Sequence, residues 1–77
     1  MADNPDQVFE CLVQETVADT VWVTMRDITD RDAEIEIAEI RLNCLPVSVS
    51  DKLVDGLVFY WYIWVDGRSQ FSLEFTT

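Results

Sequence analysis

The stretch from residue 57 to residue 65 constrains the fold of this chain more than any other. It is an uninterrupted run of apolar and aromatic residues, followed directly by Asp66-Gly67. The run is too short to cross a bilayer as a helix, it is rich in β-branched and aromatic side chains, and it ends in a tight-turn dipeptide, so it predicts a β-strand. Both faces of this strand need cover, one from the core and the other from elsewhere in the chain or from a partner.

The turn after this strand decides which of its rings lie outside. Its side chains form two sets, one for each face: Phe59, Trp61 and Ile63, and Tyr60, Tyr62 and Trp64. If Asp66 and Gly67 are the two central residues of a type I′ turn, the first set faces outward. If residues 65–67 form a type I turn with Gly67 as a left-handed bulge, Trp64 pairs with Arg68 and the second set faces outward. We favour the second arrangement, because Phe and Ile suit a dry core whereas Tyr and Trp carry polar atoms.

Other segments alternate apolar and polar residues with the period of a β-strand. The first begins at Val8 and the second is centred on Val23, with a connection between them that is short enough for a hairpin. A third begins at Glu34 and ends before Leu45-Pro46, and a last one follows the turn at residues 66–67. Together with the aromatic run, these segments predict five strands.

The third segment changes phase along its length. Ile35 and Ile37 lie in one phase, and the apolar residues after them lie in the other: Ala38, Ile40 and Leu42. Since a shift of one residue turns the apolar set toward solvent, an extra residue near Ala38 is predicted to restore the phase, as a β-bulge does. Between this strand and the aromatic run, one short helical turn is predicted, capped by Ser50 and ended by Gly56.

The order of these elements resembles that of small β-barrels of the SH3-like or OB type. The resemblance covers about residues 8–76 and consists of the bent third strand, Leu45-Pro46, the short helical turn and the Asp55-Gly56 pair before a long strand. It implies a five-stranded, strongly bent antiparallel barrel and nothing about function. The predicted organisation is a flexible N-terminal arm at residues 1–7 and a single domain at residues 8–77.

The charge of the chain narrows the classes of partner. Asp and Glu number 15 against 5 Lys and Arg, which gives a net charge of −10 and a pI near 4.1. The basic residues are scattered singly, so no patch is expected that could bind a phosphate backbone or an anionic membrane. Such a charge favours solubility, and it also steers association with a basic partner.

Residues that support chemistry are scarce. The chain has no histidine, which removes Ser-His and Cys-His nucleophiles, and its two glycines cannot form a phosphate-binding loop. Asp30, Asp32 and Glu34 imitate the start of an EF-hand loop, but Ile35 replaces the glycine that the loop requires. We therefore expect no enzyme activity, no metal and no cofactor.

The cysteines and the N-terminus indicate the compartment. Cys11 and Cys44 lie in apolar-periodic stretches and are expected to be buried, reduced thiols. No N-terminal signal segment and no long apolar run precede or interrupt the strands, so a cytoplasmic, soluble protein is expected.

The sequence predicts a non-catalytic interaction module that docks a basic protein surface, as an antitoxin, an immunity protein or a nucleic-acid-mimicking inhibitor does. A second copy of the chain, paired through the aromatic strand, is the other protein partner considered. The predicted partner-binding residues combine aromatic and acidic side chains: Trp22, Tyr60, Tyr62, Trp64, Glu34, Glu36 and Glu74. The alternative is an OB-type module that stacks single-stranded nucleic acid on these rings. Stacking at ~1–3 kcal/mol per base would then have to outweigh repulsion from the acidic surface.

Overall fold

The computed structural model describes residues 4–74, without the side chain of Glu74. The strands are β1 (Gln7–Val17), β2 (Thr20–Asp27), β3 (Glu36–Arg41), β4 (Val58–Ile63) and β5 (Ser69–Glu74). A 3₁₀ turn at Leu42–Cys44 and a short helix, α1 (Val47–Ser50), lie between β3 and β4. The strands form one antiparallel sheet in the order β3-β2-β1-β4-β5, which confirms the all-β prediction. Among the described residues the sheet is open, with β3 and β5 at its edges, so closure into a barrel is not confirmed.

One side of the sheet, called the core face here, carries the hydrophobic core. The register places Cys11 opposite Phe59 and Val13 opposite Val23, and paired residues share a face. The buried cluster draws on the strands and on the segment between β3 and β4: Cys11, Val13, Val21, Val23, Leu45, Val49, Leu57 and Phe59. The segment 42–57, called the link here, therefore covers the core face. Within residues 4–74, no helix is long and apolar enough to cross a membrane.

Three partly buried rings extend the core on this face. Trp61 stacks on Phe71 with ring centroids 5.4 Å apart, and the Phe9 ring lies 6.2 Å from the Trp61 ring. These rings are partly buried, whereas Phe59 is inaccessible to solvent. Burial on the core face thus decreases from Phe59 to these three rings.

The predicted bulge near Ala38 is wrong. β3 pairs with β2 without a register shift from Glu36 to Arg41, and the irregularity of the sheet lies in β1, between Val13 and Glu15. The prediction assumed that every isoleucine of this segment is buried. Instead Ile37 is 74% exposed on the other side of the sheet, so the change of phase needs no extra residue.

The link contains the predicted helical turn at a different position. α1 spans Val47–Ser50, so Ser50 ends the helix and Pro46 precedes it at φ −58°. Proline favours the start of a helix because its ring fixes φ near the helical value. Leu45 and Val49 are the link residues that this turn buries against the sheet. Gly56 keeps the positive φ (89°) expected of a C-terminal glycine, in the turn before β4.

The cysteines are both free, but only one is buried. Cys11 lies in the core, and burial together with the nearby Glu10 charge raises the pKa of its thiol to about 12. Cys44 is exposed, which corrects the prediction of two buried thiols. It lies in the 3₁₀ turn after β3, where side chains no longer alternate between two faces.

Candidate interaction face

The turn between β4 and β5 adopts the second of the two predicted geometries. The Trp64 amide donates to the Arg68 carbonyl (3.0 Å), and the Gly67 amide donates to the Trp64 carbonyl (3.1 Å). Gly67 has a φ of 95°, as a left-handed bulge position requires. The register that follows pairs Trp61 with Phe71, which puts this tryptophan on the core face.

Tyr60, Tyr62 and Trp64 consequently lie on the side of the sheet opposite the core, called the outer face here. The outer face also carries alternate residues of the other strands, because paired residues on neighbouring strands share a face; in β1 the phase changes at the irregularity between Val13 and Glu15. Besides Tyr60, Tyr62 and Trp64, its apolar members come from β1, β2, β3 and β4: Val8, Leu12, Trp22, Ile37 and Val58. The outer face is therefore apolar at several positions, as expected from a strand in which both sets of side chains are apolar or aromatic.

Tyr60 and Tyr62 of β4 and Trp64, which follows it, are partly exposed. The Tyr60 and Tyr62 ring centroids are 6.5 Å apart, and the Arg68 guanidinium lies 5.1 Å from the centre of the Trp64 ring. All three rings have intermediate accessibility. They therefore form an amphipathic surface rather than a second core layer.

A small polar group lies beside Tyr60 on the outer face. The Tyr60 hydroxyl donates to one oxygen of the Glu10 carboxylate (3.3 Å). The Arg26 guanidinium forms a salt bridge with the other oxygen of that carboxylate (3.3 Å). Both charged side chains are well exposed, so the pair contributes little to stability, ~0–1 kcal/mol. Glu10 was absent from the predicted site. Glu10 lies opposite Tyr60 because β1 pairs with β4, a pairing of strands far apart in the sequence.

Trp22 shares the outer face but lies apart from the other predicted rings. It is on β2, with β1 between it and β4, and it is opposite Glu39 of β3. Next to Trp22, a row of outer-face residues crosses the sheet from β3 to β4: Ile37, Thr24, Leu12 and Val58. Leu12 and Trp22 are 38% and 37% exposed, so the apolar surface extends beyond the aromatic strand.

The predicted acidic residues do not surround the rings. Glu36 is opposite Met25, on the core face, and with Glu34 it lines a hollow of about 370 Å³ beside Phe9. The side chain of Glu74 lies outside the described residues. The acidic groups that share the outer face with the rings are instead Glu10, Glu15 and Glu39.

The predicted arm contacts one end of the outer face. Residues 1–3 lie outside the described residues, and Gln7 already belongs to β1. The Asp6 amide donates to the Ile63 carbonyl (2.9 Å), and the Asp6 carboxylate accepts from the Val65 amide (2.8 Å). Pro5 then forms one wall of a shallow hollow of about 280 Å³, which Tyr62 and Trp64 also line.

Two aspartates are held in the ionised form by local hydrogen bonds. The pKa of Asp27 is lowered first by the Thr29 hydroxyl and next by the Gln7 side chain, both of which donate to its carboxylate. The pKa of Asp66 is lowered chiefly by the Arg68 amide, which donates to it at 3.0 Å. These interactions preserve negative charge at the end of the sheet where β1 begins and where β2 and β4 end.

Among residues 4–74, no group of three or more His, Cys, Asp or Glu side chains is placed to hold a metal ion. No protein-family model, no curated protein and no solved structure matches the chain.

Proposed function

We propose that this protein is an acidic, non-catalytic interaction module whose outer face binds a basic surface on another protein. The observation that carries the proposal is the combination of Tyr60, Tyr62 and Trp64 on one exposed sheet face with a net charge of −10. Partly exposed tyrosine and tryptophan are the side chains that most often anchor protein interfaces. The negative charge supplies the long-range attraction that brings a basic partner to that face.

The extent of the apolar surface also supports a macromolecular partner. Leu12, Trp22 and Ile37 continue it across β1, β2 and β3 with exposed fractions of 38%, 37% and 74%. Soluble proteins rarely leave a large contiguous apolar surface uncovered unless it is used for binding. An antitoxin, an immunity protein or an inhibitor that mimics nucleic-acid charge is the type of module we propose, on a bent sheet of the SH3-like or OB type.

The charges of this protein disfavour a second copy of the chain and single-stranded nucleic acid as binders of the outer face. A second copy would bring two acidic chains of net charge −10 together. Single-stranded nucleic acid would need cations that are free to bind phosphate. Arg26 instead pairs with Glu10 at 3.3 Å, and Arg68 pairs with Asp66 at 2.8 Å.

The experiment is capture of binding proteins from the native host with the parent chain, followed by affinity measurement with the purified partner. Tyr62→Ala and Trp64→Ala should weaken binding by about 2 kcal/mol or more if either ring is an anchor, without lowering the melting temperature sharply. Val54→Ala is the matched control, because Val54 is 62% exposed but lies in the link. Raising the salt concentration should slow association of the parent.

Two outcomes would contradict the proposal. If the rings are core residues, their replacement by alanine should destabilise the fold by ~3–5 kcal/mol and leave the affinity of the remaining folded protein unchanged. If the chain instead binds a labelled single-stranded oligonucleotide at physiological salt through these rings, the OB-type alternative is correct.

A further inference from the structure

We propose that the free edge of β3 accepts, as an added strand, an extended partner segment in which two basic residues flank two apolar residues. This surface is distinct from the aromatic part of the outer face, and the inference goes beyond the proposed function. It rests on the backbone pairing of β3, on the exposure of Ile35 and Ile37 at this edge and on the charges beside them.

The backbone pairing identifies which groups of β3 are available. The Leu42 amide donates to the Asp19 carbonyl (2.7 Å), in the same register that pairs Val21 with Ile40. Hydrogen-bonded and non-bonded pairs alternate along an antiparallel ladder, so Ile40 and Ala38 direct their backbone groups toward β2. The amides and carbonyls of the residues between them, Ile37 and Glu39, point away from the sheet.

Pairing on the other side of β2 leads to the same assignment. The Ile28 amide donates to the Val8 carbonyl (3.0 Å), so even-numbered residues of β2 bond to β1. The odd-numbered residues of β2 then bond to β3, and their partners are Ile40, Ala38 and Glu36. The free edge therefore offers donors and acceptors at regular spacing to another strand.

The side chains at this edge are unusual for a strand without a partner. Ile35 and Ile37 are 64% and 74% exposed, and both are β-branched residues that favour pairing in a sheet. An exposed edge with such residues is prone to take up a further strand. The opposite edge of the sheet, β5, lies next to the link. Its residues Ser69 and Phe71 line a hollow of about 540 Å³ together with link residues.

Charge indicates which segment fits. Glu36 and Glu39 flank Ile37 and Ala38 along the strand, so an added strand would place one residue opposite each of the four. Basic residues opposite the two glutamates would neutralise their charges. Apolar residues between them would cover the exposed Ile37 side chain. A second copy of this chain would instead bring a net charge of −10 to the same edge.

The test uses a capped synthetic peptide with the core Lys-Val-Val-Lys flanked by threonines, which presents the same pattern in either strand direction. On the parent protein, amide hydrogen exchange at Ile37 and Glu39 should slow when the peptide is added, while exchange at Ala38, whose amide already bonds to β2, should change little. A peptide with glutamate in place of both lysines should give no such protection.

Variants separate backbone pairing from side-chain contact. Ile37→Pro removes a free amide but no bond to β2, and proline is tolerated in edge strands at such positions. Its affinity for the peptide should fall about fivefold to tenfold, and Ile37→Thr, which keeps the amide, should lose less. Tyr62→Ala should bind the peptide as the parent does. Loss of peptide binding at the β3 edge can therefore be distinguished from loss of partner binding at the aromatic part of the outer face.

Several results would overturn the inference. Unchanged exchange at Ile37 and Glu39 with the peptide, or equal binding of the lysine and glutamate peptides, would show that the edge does not select a basic strand. Chemical-shift changes confined to Tyr62 and Trp64 would move the peptide to the outer face. Protection of Ile37 and Glu39 that appears without peptide and grows with protein concentration would identify a second copy as the occupant.

Discussion

The thiols of Cys11 and Cys44 lie in contrasting surroundings. Cys11 is inaccessible to solvent, and burial raises the pKa of its thiol from 9.0 to about 12, whereas Cys44 is exposed. The thiolate is the reactive form, so a thiol reagent at neutral pH should label Cys44 rapidly and Cys11 only after unfolding. Mass spectrometry of the labelled chain with and without denaturant measures this. Cys44→Ser is the control and should leave the native protein unlabelled; rapid labelling of that variant would contradict the burial of Cys11.

The same raised pKa predicts how stability depends on alkaline pH. Between pH 9.0 and about 12 the folded state keeps the Cys11 proton that the unfolded state releases. The stabilisation is therefore complete below pH 9.0 and is lost as pH rises toward the folded-state pKa. In the Cys44→Ser background, Cys11→Ala should lose less unfolding free energy than its parent between about pH 8 and about pH 10.5, as measured by urea unfolding.

At the scale of elements, the β4–β5 hairpin depends on the backbone of Gly67. Its φ of 95° is one that side-chain-bearing residues rarely adopt, yet a Cβ added there meets no atom within 4 Å. Gly67→Ala should therefore lower the unfolding free energy by about 1–2 kcal/mol through backbone strain alone. Gly67→Asn should cost less, because asparagine tolerates positive φ better. Thermal unfolding of the three proteins compares them, and equal melting temperatures for Gly67→Ala and the parent would contradict the strain.

At the scale of the whole molecule, the excess of acidic groups opposes folding. A net charge of −10 on a chain with a radius of gyration of 12.6 Å produces self-repulsion that salt screens. Added sodium chloride should therefore raise the melting temperature, whereas it should slow association with the basic partner. A variant with a less negative net charge, such as Glu15→Gln with Asp55→Asn, should show a smaller rise in melting temperature with salt. A melting temperature that falls with salt would mean that attractive charge pairs dominate.

Local patterns in the sequence were sufficient for several features of this fold. Period-two alternation predicted the strands, because a half-buried strand must place its apolar residues on one side. The Asp66-Gly67 pair and the division of rings into two chemical types predicted the bulged turn and the outward position of Tyr60, Tyr62 and Trp64. These features depend on residues close together in the chain, so alternation and side-chain chemistry were enough to favour them.

Other features followed from contacts between distant residues, which only the tertiary structure decided. Alternation places Ile37 and Ile40 on opposite sides of β3, but an edge position and the lack of a covering element leave Ile37 exposed. The same contacts buried Leu45 and left Cys44 outside, put the irregularity in β1, and paired Glu10 with Tyr60 across strands far apart in sequence. Burial depends on which element packs over a residue, and a periodic pattern carries no information about that neighbour.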